Sequence, residues 1–344
     1  MDNFNRIYDI LYHIDIATQT LETKELEQGD LNEYIHDLVK TIITTPDNRY
    51  FKFKSDTTEI KNQVDKLFAN QQSKEIFEEA SLVIAQRLLR TEISTQQRYQ
   101  HLTDIQKGSL IESFLEFEGD KYFLITKVEH ERFLNTEDLV RQIGLPYEKR
   151  TLKTCLIRLA LDGSVSDVIV TDSNNKISVY WYDEFIELDE LNSNETNTKK
   201  AFYSIDNELN KIIKKKSPSD YTVLRNNLIG YFRSQTNFAF ENMIQTVFGE
   251  YQPDNPEINM DNVKQVVRQL PEKKGFDTRF EVIEKEINAR IRKVVRISDK
   301  IELKLNDHIE QLRSTIKSET RPNGDKVIVI KTENEEAFNL FKFD

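Results

Sequence analysis

The spacing of apolar positions changes several times along the chain, and each change marks an element. The opening run Ile7-Tyr8-Asp9-Ile10-Leu11-Tyr12-His13-Ile14 is dense in β-branched and aromatic residues and reads as a strand, with a short helix as the alternative. Asp30 then caps a helix with Glu33 three residues on, and Tyr34, Ile35, Leu38, Val39 and Ile42 recur at helical spacing until Pro46. A second helix follows Ser73 and carries Ile76, Phe77, Ala80, Ile84 and Leu88 on one face. From Ser109 the pattern becomes strand-like. Residues 109–117 and 121–129 flank Glu118-Gly119-Asp120 and predict a hairpin. A short helix is predicted over 135–143, ended by Gly144 and Pro146. Residues 151–161 and 165–171, around Asp162-Gly163, predict a second hairpin, and 176–182 a further strand after Asn174-Asn175. Residues 1–191 are therefore expected to form an α+β domain, an antiparallel sheet with flanking helices.

The stretch 192–198, Asn-Ser-Asn-Glu-Thr-Asn-Thr, has no apolar anchor and reads as a polar linker. Helical periodicity follows over 199–216, 219–234, 238–249 and 260–270. Strands are predicted at 301–305 and 327–331, around Pro322-Asn323-Gly324-Asp325, with a last helix through Ala337 and Phe341. Residues 199–344 are thus a second, mainly helical domain that ends in a small mixed α/β segment.

Charge sharpens this division. The 344 residues carry a formal net charge of −11, which argues against a grip on nucleic acid by the whole surface. Yet residues 199–300 hold 19 Lys or Arg against 14 Asp or Glu, so the rest carries −16 and any phosphate contact is expected from this stretch. Cys155 is the single cysteine and lies in an apolar run, which fits a reducing compartment. The first residues lack the pattern of a secretion signal and no apolar run is long enough to span a bilayer, so a cytoplasmic protein without membrane contact is expected.

Two basic clusters are candidates for DNA contact. Lys211, Lys214, Lys215 and Lys216 end the first predicted helix of the second domain, where a solvated basic face is the competing explanation. On the next helix Arg225 and Arg233 lie beside the apolar stripe of Tyr221, Leu224, Leu228 and Phe232. The second cluster comprises Lys273 and Lys274, then Arg290, Arg292, Lys293 and Arg296. If 290–296 is extended, Arg290, Arg292 and Arg296 share one face as a basic ribbon along a phosphate backbone. Phosphate and shape contacts are expected rather than base reading.

Catalytic signals are weak. Five scattered histidines give no metal-ligand spacing, and no phosphate-binding glycine loop or nucleophile elbow occurs. Asp120 ahead of Ile125-Thr126-Lys127 has the outline of a metal nuclease, but Ile125 stands where a metal-binding carboxylate belongs. No catalytic residue, metal or cofactor is expected.

Several stretches, in order, resemble the bacterial nucleoid-associated protein family of the YejK/NdpA type. They are Lys107-Gly108-Ser109-Leu110, Tyr122-Phe123-Leu124-Ile125-Thr126-Lys127-Val128-Glu129-His130, Phe133-Leu134-Asn135-Thr136-Glu137-Asp138-Leu139, and Arg150-Thr151-Leu152-Lys153-Thr154-Cys155-Leu156-Ile157. Further matches are Asp172-Ser173-Asn174-Asn175-Lys176-Ile177-Ser178 with Tyr180-Trp181, Lys214-Lys215-Lys216-Ser217-Pro218-Ser219-Asp220-Tyr221, and Leu228-Ile229-Gly230-Tyr231-Phe232. Leu270-Pro271-Glu272-Lys273-Lys274-Gly275-Phe276-Asp277 and Asn334-Glu335-Glu336-Ala337-Phe338 complete the set. The resemblance implies nucleoid association, binding of double-stranded DNA without enzymatic activity, and self-association as a homodimer. The alternative is a component of an anti-phage defence system: a DNA-sensing or nuclease subunit, or an adaptor that docks a DNA-acting partner.

Overall fold

Alternation along the strand Gly108–Phe117 decides the layout of the first half of the chain. Leu110 and Phe114 project to one side and Ile111 and Leu115 to the other, and all four are buried, so the sheet is covered on both faces. The computed structural model describes residues 4–24, 30–44, 49–99, 105, 107–134, 136–137, 139–147, 152–160, 162–174, 176–288 and 293–343. They belong to two units, Met1–Asn192 and Ser193–Asp344, with separate apolar cores.

The first unit contains strands β1 (Phe4–Asp15), β2 (Thr20–Lys24), β3 (Tyr50–Phe53), β4 (Gly108–Phe117) and β5 (Asp120–Glu129). It continues with β6 (Glu131–Leu134), β7 (Arg141–Gly144), β8 (Leu152–Leu159), β9 (Val165–Asp172) and β10 (Leu188–Glu190). Eight of them form one antiparallel sheet in the order β10-β3-β9-β8-β5-β4-β1-β2. The β4–β5 hairpin is in register from Gly108–Glu129 to Phe117–Asp120. Its two-residue turn has Glu118 at φ 51° and Gly119 at φ 91°, the left-handed pair that matches strand twist. Helices α2 (Glu59–Ala69) and α3 (Lys74–Tyr99) pack on the face of Leu110, Phe114 and Ile125, and α1 (Asp30–Thr44) seals the opposite face through Tyr34, Ile35, Leu38 and Val39.

Two predicted elements are replaced. The helix expected over 135–143 is absent among its described residues, which instead include β7, paired with β6. Phe133, Leu134, Leu139, Val140 and Ile143 are exposed there, so no buried face exists to stabilise a short helix. The strand expected over 176–182 gives way to a π-helical segment, Tyr180–Phe185, whose wide turn brings both Trp181 and Phe185 into the core. The Trp181 indole donates to the Thr154 carbonyl at 3.3 Å.

The second unit is mainly helical: α4 (Asn194–Ile212), α5 (Pro218–Ser234), α6 (Phe240–Phe248), α7 (Met260–Arg268) and α8 (Leu270–Lys274). The short strands β11 (Asn237–Ala239) and β12 (Arg279–Glu281) pair between them and stack Phe238 on Phe280 at 4.5 Å. Residues 194–198, within the stretch read as a linker, are the first turns of α4. Ser193 Oγ accepts from Thr196 N–H, while Asn197 and Thr198 are buried. The polarity of this stretch is capping chemistry. Asn197 exchanges two hydrogen bonds with Asp277, 2.7 and 2.9 Å long, and so ties the start of α4 to the loop after α8. The chain continues as two hairpins, β13 (Lys293–Ser298) with β14 (Ile301–Leu305) and β15 (Ile316–Thr320) with β16 (Lys326–Ile330), before a C-terminal helix, Glu335–Leu340.

Candidate nucleic-acid interface

Of the lysine run expected on a helix, Lys211 lies on one and Lys214, Lys215 and Lys216 do not. Helix α4 ends at Ile212, and Ile213 turns inward as its fully buried C-cap. Lys214, Lys215 and Lys216 therefore occupy an exposed turn, closed by Lys216 N–H and Ser217 N–H donating to the Ile213 carbonyl. Ser217 caps α5 by accepting from Asp220 N–H, with Pro218 in the first turn where its missing N–H leaves no gap. Asp220 is buried, which acts to raise its pKa. Hydrogen bonds from Ser217, Tyr251 and the Asp254 and Asn255 amides outweigh that and hold the carboxyl below its usual range.

This turn sets cations around one aromatic ring. Lys214 Nζ lies 5.4 Å from the Tyr221 ring centroid and Lys293 Nζ, arriving on β13, lies 6.0 Å from it. Lys293 Nζ also donates to Thr222 Oγ1 at 3.0 Å. Below the ring, Asp206 on α4 accepts from Tyr221 OH at 3.0 Å and from Arg225 Nε at 3.1 Å. Two lysines thus meet at the ring, and its hydroxyl and Arg225 share the Asp206 carboxylate beneath it. Burial, followed by the nearby charges of Arg225 and Lys214, holds the Lys293 ammonium below the usual lysine range, with Asp206 opposing. A cavity of about 20 Å³, room for one water, adjoins Thr222, Arg225 and Lys293. An excess of positive charge held at the surface beside a phenol ring suits an anionic oxygen ligand, the phosphate oxygens of a nucleic acid among them.

The remaining candidates are placed as follows. Lys211 is exposed and pairs with Glu208 at 3.3 Å on the same helix. Arg225, expected to face outward, is only 8% exposed and bound to Asp206, so it supports the ring from below. Its charge is tolerated inside because a carboxylate sits within hydrogen-bond reach. Arg296 points to the opposite face of β13 from Lys293 by strand alternation, and pairs with Asp299 at 2.9 Å. Arg290 and Arg292, the rest of the expected ribbon, lie outside the described residues. Lys273 and Lys274 are exposed at the end of α8, near Lys200, which donates to the Gly275 carbonyl. Gly275 caps α8 at φ 63°, and the following Phe276 and Asp277 are buried. This second basic patch adjoins the start of α4, whereas Lys214 follows its end.

The nuclease outline in the first unit is not assembled. Lys127 is fully buried and pairs with Glu92 of α3 at 2.5 Å, while Asp120 binds Arg158 at 2.7 Å. The two stand seven residues apart on β5, about 23 Å along an extended strand. Among the described residues no group of three or more His, Cys, Asp or Glu could hold a metal ion, and no described helix is long and apolar enough to cross a membrane. Sequence reasoning missed Tyr221 as the platform of the cationic site and Thr222 and Asp206 as its supports. The available signal was an aromatic in the first turn of the helix that follows a lysine-rich turn.

The family described as nucleoid-associated protein YejK matches residues 11–337 of the chain. No curated protein matches it at a significant level.

Proposed function

The chain belongs to the family of the nucleoid-associated protein YejK, and on that premise we propose that its second unit grips the phosphate backbone of duplex DNA with little sequence preference. The observation that supports this most is the meeting of Lys214 and Lys293, from distant parts of the chain, on the Tyr221 ring in a protein whose net charge is −11. In this reading Lys214, Lys215 and Lys216 meet phosphates from the turn, with Lys211 at its edge. Lys293 and Arg296, on opposite faces of β13, bracket the backbone, and Arg290 and Arg292 precede them in the chain. Arg225 positions Tyr221 through Asp206. Lys273 and Lys274 form a separate, weaker contact. Such a grip releases counterions and carries no base code, so it is salt-dependent and sequence-tolerant.

The test is fluorescence anisotropy of a labelled duplex titrated with pure protein at two salt concentrations. Binding should weaken steeply with salt. Lys214→Glu, Lys215→Glu and Lys216→Glu together should lower affinity at least about tenfold for every sequence and flatten the salt slope. Unchanged affinity and slope in the triple variant would remove the turn from the interface.

A further inference from the structure

The last fifty residues are built as secondary structure without a core. Among the described residues from 293 onward, Leu312 is the one buried apolar side chain. Among the described residues the β15–β16 hairpin pairs with no third strand, which leaves the outer edge of each of its strands open there. Register places Ile316 opposite Ile330 and Ser318 opposite Ile328 on one face, with Val327 and Val329 on the other. Ile328, Val329 and Ile330 are all exposed. The C-terminal helix, capped by Asn334 accepting from Ala337 N–H, and the residues just after it add Phe338, Leu340, Phe341 and Phe343, which are 60 to 84% exposed. A lone two-stranded hairpin is marginal in water, and an open apolar edge next to exposed aromatics marks a protein contact.

We propose that residues 316–343 form a dimerisation arm, in which the aromatic C-terminal segment of each copy of this chain covers the β15–β16 hairpin of the other. Charge selects this occupant. The hairpin carries Lys317, Arg321, Lys326 and, just beyond it, Lys331, against Glu319 and Asp325. The segment after it carries Glu333, Glu335 and Glu336 against Lys342. A second copy sets the acidic, Phe-rich segment against the basic, Ile- and Val-rich hairpin. The contact is made twice, once in each direction, and closes on a twofold axis without leaving a free end. A nucleic acid would place phosphates beside three glutamates and leave the phenylalanines in water. The arm goes beyond the proposed DNA contact and does not depend on it, since the two surfaces share no residue.

Sedimentation velocity on the full chain over a range of concentrations tests the proposal. The wild type should dimerise. Lys317→Glu with Lys326→Glu, and separately Glu335→Lys with Glu336→Lys, should each raise the dissociation constant at least about tenfold, because each makes hairpin and segment alike in sign. An equimolar mixture of the two variants should recover the dimer, since in the mixed pair both contacts regain opposite signs. A chain that had simply misfolded would not be rescued in this way. A monomeric wild type, a dimer that ignores both variants, or a mixture that stays monomeric would each overturn the proposal. If the wild type is monomeric and the hairpin variant weakens duplex binding in the anisotropy assay, the hairpin belongs to DNA instead.

Discussion

The two units treat their lysines in opposite ways. In the sheet unit Lys127 and Lys153 lie beneath α3 and the π-helical segment. Lys127 is locked to Glu92, and Lys153 to Glu129 at 2.9 Å, with Asp172 at 3.8 Å. In the helical unit Lys214 lies over an aromatic ring and is exposed, as are Lys215 and Lys216 beside it. A buried ion pair satisfies its own charge and leaves nothing for a ligand, whereas a cation held by a ring keeps its capacity for an incoming anion. The overall charge of −11 therefore says little about where a polyanion can sit. What matters is which cations lack a resident carboxylate.

The largest effect expected from breaking this contrast is at Lys127. Lys127→Ala strands Glu92 as an uncompensated buried charge and should cost about 3–5 kcal/mol in urea denaturation. Lys127→Met combined with Glu92→Met should recover much of it. A loss below about 1 kcal/mol for the single change would mean that water reaches the pair.

Next comes Glu112, on the same face of the sheet. Both carboxyl oxygens are buried without a hydrogen-bond partner, with the Ser81 hydroxyl nearby but outside bonding geometry. Burial raises its pKa well above the ordinary 4.5, the Ser81 hydroxyl opposing. The sign follows directly. Below pH 4.5 folded and unfolded chains are both protonated. Above it the unfolded chain releases a proton that the folded chain retains, so stability falls as pH rises toward the folded pKa. Glu112→Gln should remove that slope and stabilise the fold by about 1–3 kcal/mol at neutral pH. Parallel stability curves for variant and wild type from pH 5 to 8 would count against it. The smallest effect is expected in the helical unit: Lys214→Ala, Lys215→Ala and Lys216→Ala together should change stability by about 1 kcal/mol or less, checked by the same denaturation.

Local chemistry made much of the fold legible. Asp30 with Glu33 and the Glu118-Gly119 turn each announce their element within a few residues, and the structure has a helix and a hairpin there. Strands β3 and β10 were not legible, because four and three residues become strands only through pairing with each other and with β9. The run around Trp181 is apolar and aromatic enough for either period, and the core decided it. At the site, the lysine run was visible as charge. Its ring was not, because an aromatic on an apolar stripe reads as core until its neighbours are known. The approach of Lys293 to Thr222, 71 residues apart, has no local signature. Arg225 misled because periodicity reports the side of a helix on which a residue lies and says nothing of a carboxylate on the helix before it.

The bond between Asn197 and Asp277 also sets an order of events in time. These partners are 80 residues apart, a span that a ribosome makes in about 4 to 16 seconds. Through that interval every strand of the first unit has been synthesised, whereas Asp277, which the Asn197 amide will bond, has not. The nascent chain thus finishes its sheet before its helical half can close. Any factor that stalls synthesis between residues 197 and 277 would leave a fully synthesised first unit and a second without the partner of Asn197.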